Sequence, residues 1–285
     1  MTTRRGFTLV ELLVALVLLS IVGGVIVRLI ATSQRLSRQQ SEQVLLQGNV
    51  RTGALLVPSE LRELAVSGTT TDIQAMGTSD ITYRALRASG VACSITAGAP
   101  GSVRLRRSLY FGYRTLAASR DSLLIFMDDN ADLTTDDRWS AFAVTGTPTT
   151  GTCPDGQPAI VVPTTIHADS LARMQLDAPV RSFEVMQLAL FQQNSKYWLG
   201  ARSVSADPTS TLQPVLGPLR SDGLQISYLA ANGTATTVPT QVRTIEVMIR
   251  GLTQHTATVG TGGTDLRLSQ DTLVTRIRLR NAPAL

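Results

Sequence analysis

The chain has 285 residues, enough for one large domain or two small ones with a real core. With 43% hydrophobic and 16% charged residues it lacks the signature of disorder, and the Ser, Thr and Gly abundant after residue 67 suit an exported, strand-rich domain more than a helical bundle. The formal net charge is +5, and the positive charge is nearly all arginine, since Lys196 is the only lysine; these arginines are scattered, which a solvated surface explains better than a nucleic-acid groove, and 5% aromatics make no evident base-stacking platform.

The first element is a basic start followed by an apolar run. Arg4 and Arg5 stand before Gly6, and Phe7 to Val27 reads FTLVELLVALVLLSIVGGVIV before Arg28 closes it. At ~1.5 Å per residue a helix over this run spans about 31 Å, the thickness of a bilayer's hydrocarbon core. The positive-inside tendency keeps residues 1–6 in the cytoplasm and sends the rest outward, a single pass through the inner membrane. A secretory signal peptide fits the basic start, the apolar centre and a passable small-residue cut at Val22–Gly23–Gly24, but not Glu11, the one acid between Phe7 and Val27. A plain signal anchor fits the length but gives no reason for Gly6 or Glu11.

Gly6–Phe7–Thr8–Leu9–Val10–Glu11–Leu12 resembles the processing and methylation motif of type IV pilins and type II secretion pseudopilins. The resemblance implies that a prepilin peptidase cuts after Gly6 and methylates the new amino terminus at Phe7. Phe7 and Glu11 are i and i+4, on one helix face and about 6 Å apart along the axis. A carboxylate in an apolar setting is costly unless paired. The resemblance implies that Glu11 meets the freed amine of a neighbouring subunit and sets the stagger between subunits; the bland alternative is that it only snorkels to the headgroups. Many major pilins have a proline near the position of Arg28. This chain has none there, and Gly23–Gly24 is its only weak point, at about 1 kcal/mol of helix propensity per glycine.

Beyond the membrane run the pattern stays helical. Val50, Ala54, Val57, Leu61 and Leu64 form an apolar stripe at spacings of four and three, opposite Arg51, Glu60, Arg62 and Glu63. The expectation is one helix over 7–57, with 7–27 in the membrane, a break or kink at Pro58 and a further turn or two to Val66. Residues 58–285 then form the extracytoplasmic head. In it, strands are expected at Val103–Leu105, Leu109–Phe111, Leu123–Phe126, Ala141–Val144 and Ile160–Val162. Gln187–Phe191 and Tyr197–Ala201 read as a hairpin around Gln193–Asn194–Ser195, and Leu224–Tyr228 leads into an Asn232–Gly233 turn. Arg243–Arg250 and Leu273–Leu279 alternate cleanly, with Arg276, Arg278 and Arg280 on the wet side. The fold class is therefore α+β, a long N-terminal helix packed on an antiparallel head, as the pilin resemblance also implies. Leu45–Leu64 and the closing Asp271–Asn281 resemble the corresponding parts of W-type minor pilins and J-type pseudopilins.

Candidate chemistry in the head is thin. Cys93 and Cys153 form neither CxxC nor a zinc pattern; outside the cytoplasm a disulfide is the natural reading, against two free buried thiols. Asp128, Asn130 and Asp132 mimic the start of a calcium loop, but Leu133 stands where an EF-hand needs glycine and Trp139 where it needs glutamate, so a solvated hairpin tip accounts for the pattern better than calcium. His167 and His255 read as surface residues, Trp139 and Trp198 as core. No GxSxG, HExxH or P-loop occurs, and no cofactor is expected. The sequence therefore points away from an enzyme and toward a minor pilin or pseudopilin. Its partners would be the prepilin peptidase, the inner membrane and other pilin-type subunits through the N-terminal helix, in a pilus or pseudopilus. The rival is an exported hydrolase or ligand-binding domain on a signal anchor.

Overall fold

The computed structural model describes residues 8–67, 70–130, 132–133, 137–258 and 266–279. They divide into two units, one of residues 1–48 with 253–270, the other of 49–252 with 271–285. Helix α1 runs Leu9–Leu61. The main strands are β1 (Asp80–Thr96), β2 (Gly98–Arg106), β3 (Asp121–Met127), β4 (Arg138–Ala143), β5 (Pro158–Ile166), β6 (Pro179–Gln193), β7 (Lys196–Ser203), β8 (Gln213–Leu229), β9 (Thr244–Leu252) and β10 (Gln270–Arg278). Their order is β10-β9-β8-β7-β6-β1-β2-β5, with Thr149–Thr152 beyond β5 and the β3–β4 hairpin attached to β6. Every pairing with a described register is antiparallel, as expected of short connections between alternating strands.

In the larger unit, the last turns of α1 pack on this sheet. Val50, Val57 and Leu61 are buried, and so is Leu64 just beyond, as the stripe predicted. Val57, Leu61 and Leu64 join Ile81, Tyr83, Leu199, Leu216, Ile249 and Ile277 in one core. Each such aliphatic side chain contributes about 1.5–3 kcal/mol on full burial. Gly53 permits the close approach, since a Cβ there would lie 2.5 Å from Leu216 Cδ2 and 2.8 Å from Ile249 Cδ1. Asn49 adds a tie, its Nδ2 donating to the Gly217 carbonyl at 2.9 Å.

Strand β1 serves two cores because it changes face midway. Ile81, Tyr83 and Ala85 are buried, then the phase shifts to Ala88, Gly90 and Ala92. The register skips one residue there: Phe183 pairs with Leu86 and Ser182 with Ala88, so Arg87 is the extra residue of a β-bulge. Beyond it, Ala88 and Ala92 pack with Val103, Leu123, Ile125 and Val162 in a second core.

Several expectations shift. Helix α1 passes through Pro58 to Leu61, and Val66–Ser67 is a strand paired with Thr70–Thr71 rather than a further helical turn. Proline falls in the last turn, where one lost hydrogen bond is outweighed by the burial of Val57 and Leu61 on either side. Leu109–Phe111 is not one strand: Arg107–Leu109 is a 3₁₀ turn and Phe111–Gly112 a short strand on β1. Trp139 and Trp198 are half-buried rather than core. Trp139 meets Phe126 edge-on at 5.7 Å and carries the Arg181 guanidinium 5.1 Å from its ring centre. The β6–β7 hairpin forms as expected, with Asn194 and Ser195 at φ 52° and 59° in its two-residue turn.

Candidate functional site

The first third of α1 is the segment with the least support from its own chain. Large apolar side chains from Leu9 to Ile30 are exposed on every side of the helix, and this stretch is long and apolar enough to cross a membrane. Its few polar groups are satisfied internally. Ser20 Oγ donates to the Leu16 carbonyl at 2.7 Å, and Thr32 Oγ1 to that of Arg28 at 2.9 Å, which spares lipid an open donor.

Glu11 is held by Thr8. The Thr8 backbone N–H and hydroxyl both donate to Glu11 Oε2, at 3.3 and 3.2 Å, and the Glu11 N–H donates back to Thr8 Oγ1 at 3.3 Å. This is a capping box: a threonine before the first helical residue and a glutamate three residues on, each satisfying an orphan donor of the other. The Thr8-x-x-Glu11 spacing is plain in the sequence and is the signal that a reading centred on the amine overlooks. Gly6 and Phe7, the expected cut and methylation sites, lie outside the described residues.

Further along α1, Glu42 receives the Gln254 backbone N–H and His255 Nδ1, both at 2.8 Å. The His255 bond is the main cause that lowers the Glu42 carboxyl below its usual range. His255 is exposed, as expected, but it ties residues 254–255 to the helix within the smaller unit.

In the head, Cys93 and Cys153 are joined by a disulfide with Cα atoms 5.7 Å apart, linking β1 to the turn before β5. In the stretch after β3 several side-chain oxygens have partners within the chain, while Asp128 Oδ1 is buried without a hydrogen bond. Asp128 Oδ2 accepts from Gln175 Nε2, Asn130 Oδ1 from the Asp132 N–H, and Asp129 faces Arg138 and Arg173. Among the described residues no three His, Cys, Asp or Glu side chains gather as metal ligands.

A buried charge network in the head has no sequence signal at all. Glu184 on β6 and Asp121 on β3 stand opposite each other in the sheet, with fully buried side chains. Glu184 accepts from Arg120 Nε at 2.5 Å, Arg87 Nε at 2.9 Å and Arg114 Nη2 at 3.0 Å. Asp121 takes both Arg114 Nη groups, at 2.6 and 2.7 Å, and the Ala117 N–H at 2.7 Å. Burial pushes the Glu184 carboxyl up, but hydrogen bonds from Arg120, Ser203, Arg87 and Arg114 outweigh it and hold it at about 2. The bulge at Arg87 aims that guanidinium into the network. With its carboxylates saturated by guanidiniums, it is an ion lock rather than an acid–base pair. Two recesses elsewhere, about 580 Å³ beside Phe191, Tyr197 and Asp222 and about 170 Å³ beside Asp72, Arg84 and Arg181, are lined without histidine, lysine or cysteine.

Residues 1–27 match the family model of the prokaryotic N-terminal methylation motif. Comparison with curated proteins and with solved structures returned no match. An exposed apolar helix start, a motif of this kind and an antiparallel head packed on the same helix support a type IV pilin-like prepilin precursor. The motif marks a prepilin-peptidase substrate and, in general terms, a pilin-family subunit anchored in a membrane.

Proposed function

We propose that this chain is a minor pilin or pseudopilin, of the W or J type, that primes or caps a type IV pilus or a type II secretion pseudopilus. In this reading the peptidase cuts after Gly6 and methylates Phe7. Residues 7–27 hold the subunit in the inner membrane, and the head lies outside the cytoplasm until α1 joins a filament. The work is assembly, not catalysis.

The observation that carries the reading is the state of Glu11. Its carboxylate sits at the head of an exposed apolar stretch of α1, and its described partner is Thr8 three residues away. The capping box supplies a resting partner that keeps the acid tolerable in a lone subunit. Because these contacts are long, at 3.2–3.3 Å, the carboxylate can exchange them for a neighbour's ammonium at small cost. Processing leaves Thr8 in place, so the resting state survives the cut.

Mass spectrometry of the mature amino terminus tests this. N-methyl-phenylalanine at residue 7 is the expected result; a start at Val25 would indicate signal peptidase, and an intact Met1 or Thr2 a plain anchor. The Glu11→Ala variant is expected to insert and be processed normally yet enter filaments poorly, and wild-type incorporation would refute the assembly role of Glu11.

A further inference from the structure

One face of the head sheet gathers two guanidiniums that the fold leaves almost without acceptors. Arg181 on β6 stands opposite Leu124 on β3, and Arg84 on β1 stands opposite Val185 on β6. Alternation along β6 puts residues 181, 183 and 185 on the same side, so both arginines share it. The Arg84 guanidinium carbon lies 5.0 Å from the centre of the Phe183 ring, and that of Arg181 lies 5.1 Å from the centre of Trp139 on β4. A ring face steadies a guanidinium charge without using its N–H donors.

Those donors stay nearly unspent. Among the described residues the Arg181 side chain forms no hydrogen bond and no ion pair. Arg84 Nη1 reaches the Thr71 carbonyl only at 3.5 Å and Asp72 Oδ1 only at 4.0 Å, the outer edge of such contacts. Both arginines border a recess of about 170 Å³, together with Asp72 and an apolar wall of Ala65, Leu124 and Trp139. Asp72 is the one acid among its described lining residues, and its Oδ2 already accepts the Ala65 N–H at 2.8 Å. Burial pushes the Asp72 carboxyl above its usual range, and the Ala65 N–H, Arg84 and Arg181 offset this only in part. The recess thus holds two cations against one acid that is poorly stabilised as an anion.

We propose that this recess binds a short organic monocarboxylate, its oxygens taking N–H donors of Arg84 and Arg181 and its apolar body lying against Leu124 and Trp139. The planar fork of a guanidinium matches a carboxylate. One monoanion brings the local charge to zero, whereas a phosphate dianion overshoots and gains nothing from the apolar wall. The volume suits a small acid, since pockets for drug-sized ligands run to about 300–1,000 Å³. The proposal goes beyond subunit assembly: it concerns the head alone and holds whether or not the chain joins a filament.

Calorimetric titration of the full-length chain in detergent micelles tests it, with butyrate as the probe, butyramide as its uncharged match and inorganic phosphate as the rival anion. Saturable butyrate binding in the millimolar range or tighter is expected, with butyramide and phosphate weaker by about tenfold or more. Arg84→Gln and Arg181→Gln are each expected to weaken butyrate on the order of tenfold. If these variants melt lower than the wild type, fluorescence locates the site instead. A Trp198→Phe chain keeps Trp139 as its single tryptophan, and butyrate should shift its emission while butyramide should not. Absence of saturable butyrate binding, equal binding of butyramide, or butyrate binding that leaves Trp139 emission unchanged overturns the proposal. So does undiminished butyrate binding in well-folded arginine variants. Tighter binding of phosphate than of butyrate overturns the carboxylate assignment.

Discussion

Helix α1 meets two kinds of surroundings along its length. From Leu9 to Ile30 its apolar side chains are exposed all round; from Asn49 to Leu61 one face is buried on the sheet while Leu55 on the other is 75% exposed. The backbone is the same and the solvent is not. The second stretch has the three-and-four spacing of a helix that brings one stripe to a core, and the protein supplies that core. The first has no polar face, so its stability must come from lipid or from other subunits. A head that carries its own stability and an anchor that borrows it should respond to mutation independently.

The sharpest way to break that independence is the ion lock. Glu184→Gln leaves three guanidiniums around a neutral amide and should destabilise the head by about 3 kcal/mol in urea unfolding of the detergent-solubilised chain, with membrane insertion unchanged. A loss of insertion would mean that anchor and head are not separable. The same lock sets an acid limit. The Glu184 carboxyl is lowered from 4.5 to about 2 in the folded head, so its contribution is full above the unfolded value and drains away as pH falls toward 2. Head unfolding followed from pH 6 to pH 2 should show that decline in the wild type and a flatter one in Glu184→Gln.

Next in size is Gly53→Val, which pushes a branched side chain into Leu216 and Ile249 and should cost about 1–3 kcal/mol of head stability. The smallest effect belongs to the anchor. Thr8→Ala removes half of the capping box, worth about 0.5–2 kcal/mol locally, and should leave head unfolding untouched. Its expected signature is faster amide exchange in the first turn of α1 in micelles. A shift in the head's unfolding midpoint would contradict the separation.

Legibility followed the range of the interactions. The membrane run, the stripe from Val50 to Leu64, the β6–β7 hairpin and the turn at Asn232–Gly233 were readable because each is a periodic or turn signal contained in a few residues. Thr8-x-x-Glu11 is equally local, a capping-box spacing carried by four consecutive residues. The end of α1 was misjudged because Pro58 signals a break, whereas Val57 and Leu61, buried on either side of it, hold the helix together. The tryptophans were misplaced because aromatic content says nothing about which rim of a sheet a ring covers.

By itself, the sequence determined that a long apolar helix lies near the start of the chain, that a carboxylate sits four residues past Phe7 within a prepilin-type motif, and that alternating strands make up the head. These rest on covalent spacing and on helix and strand periods, which hold wherever the segment lies. Tertiary structure alone decided that Arg87 is bulged out toward Glu184, that residues spread from 87 to 184 share one buried ion lock, and that Arg84 and Arg181 border one recess with Asp72. Such placements depend on register between strands far apart in sequence, where a shift of one residue turns every side chain to the opposite face.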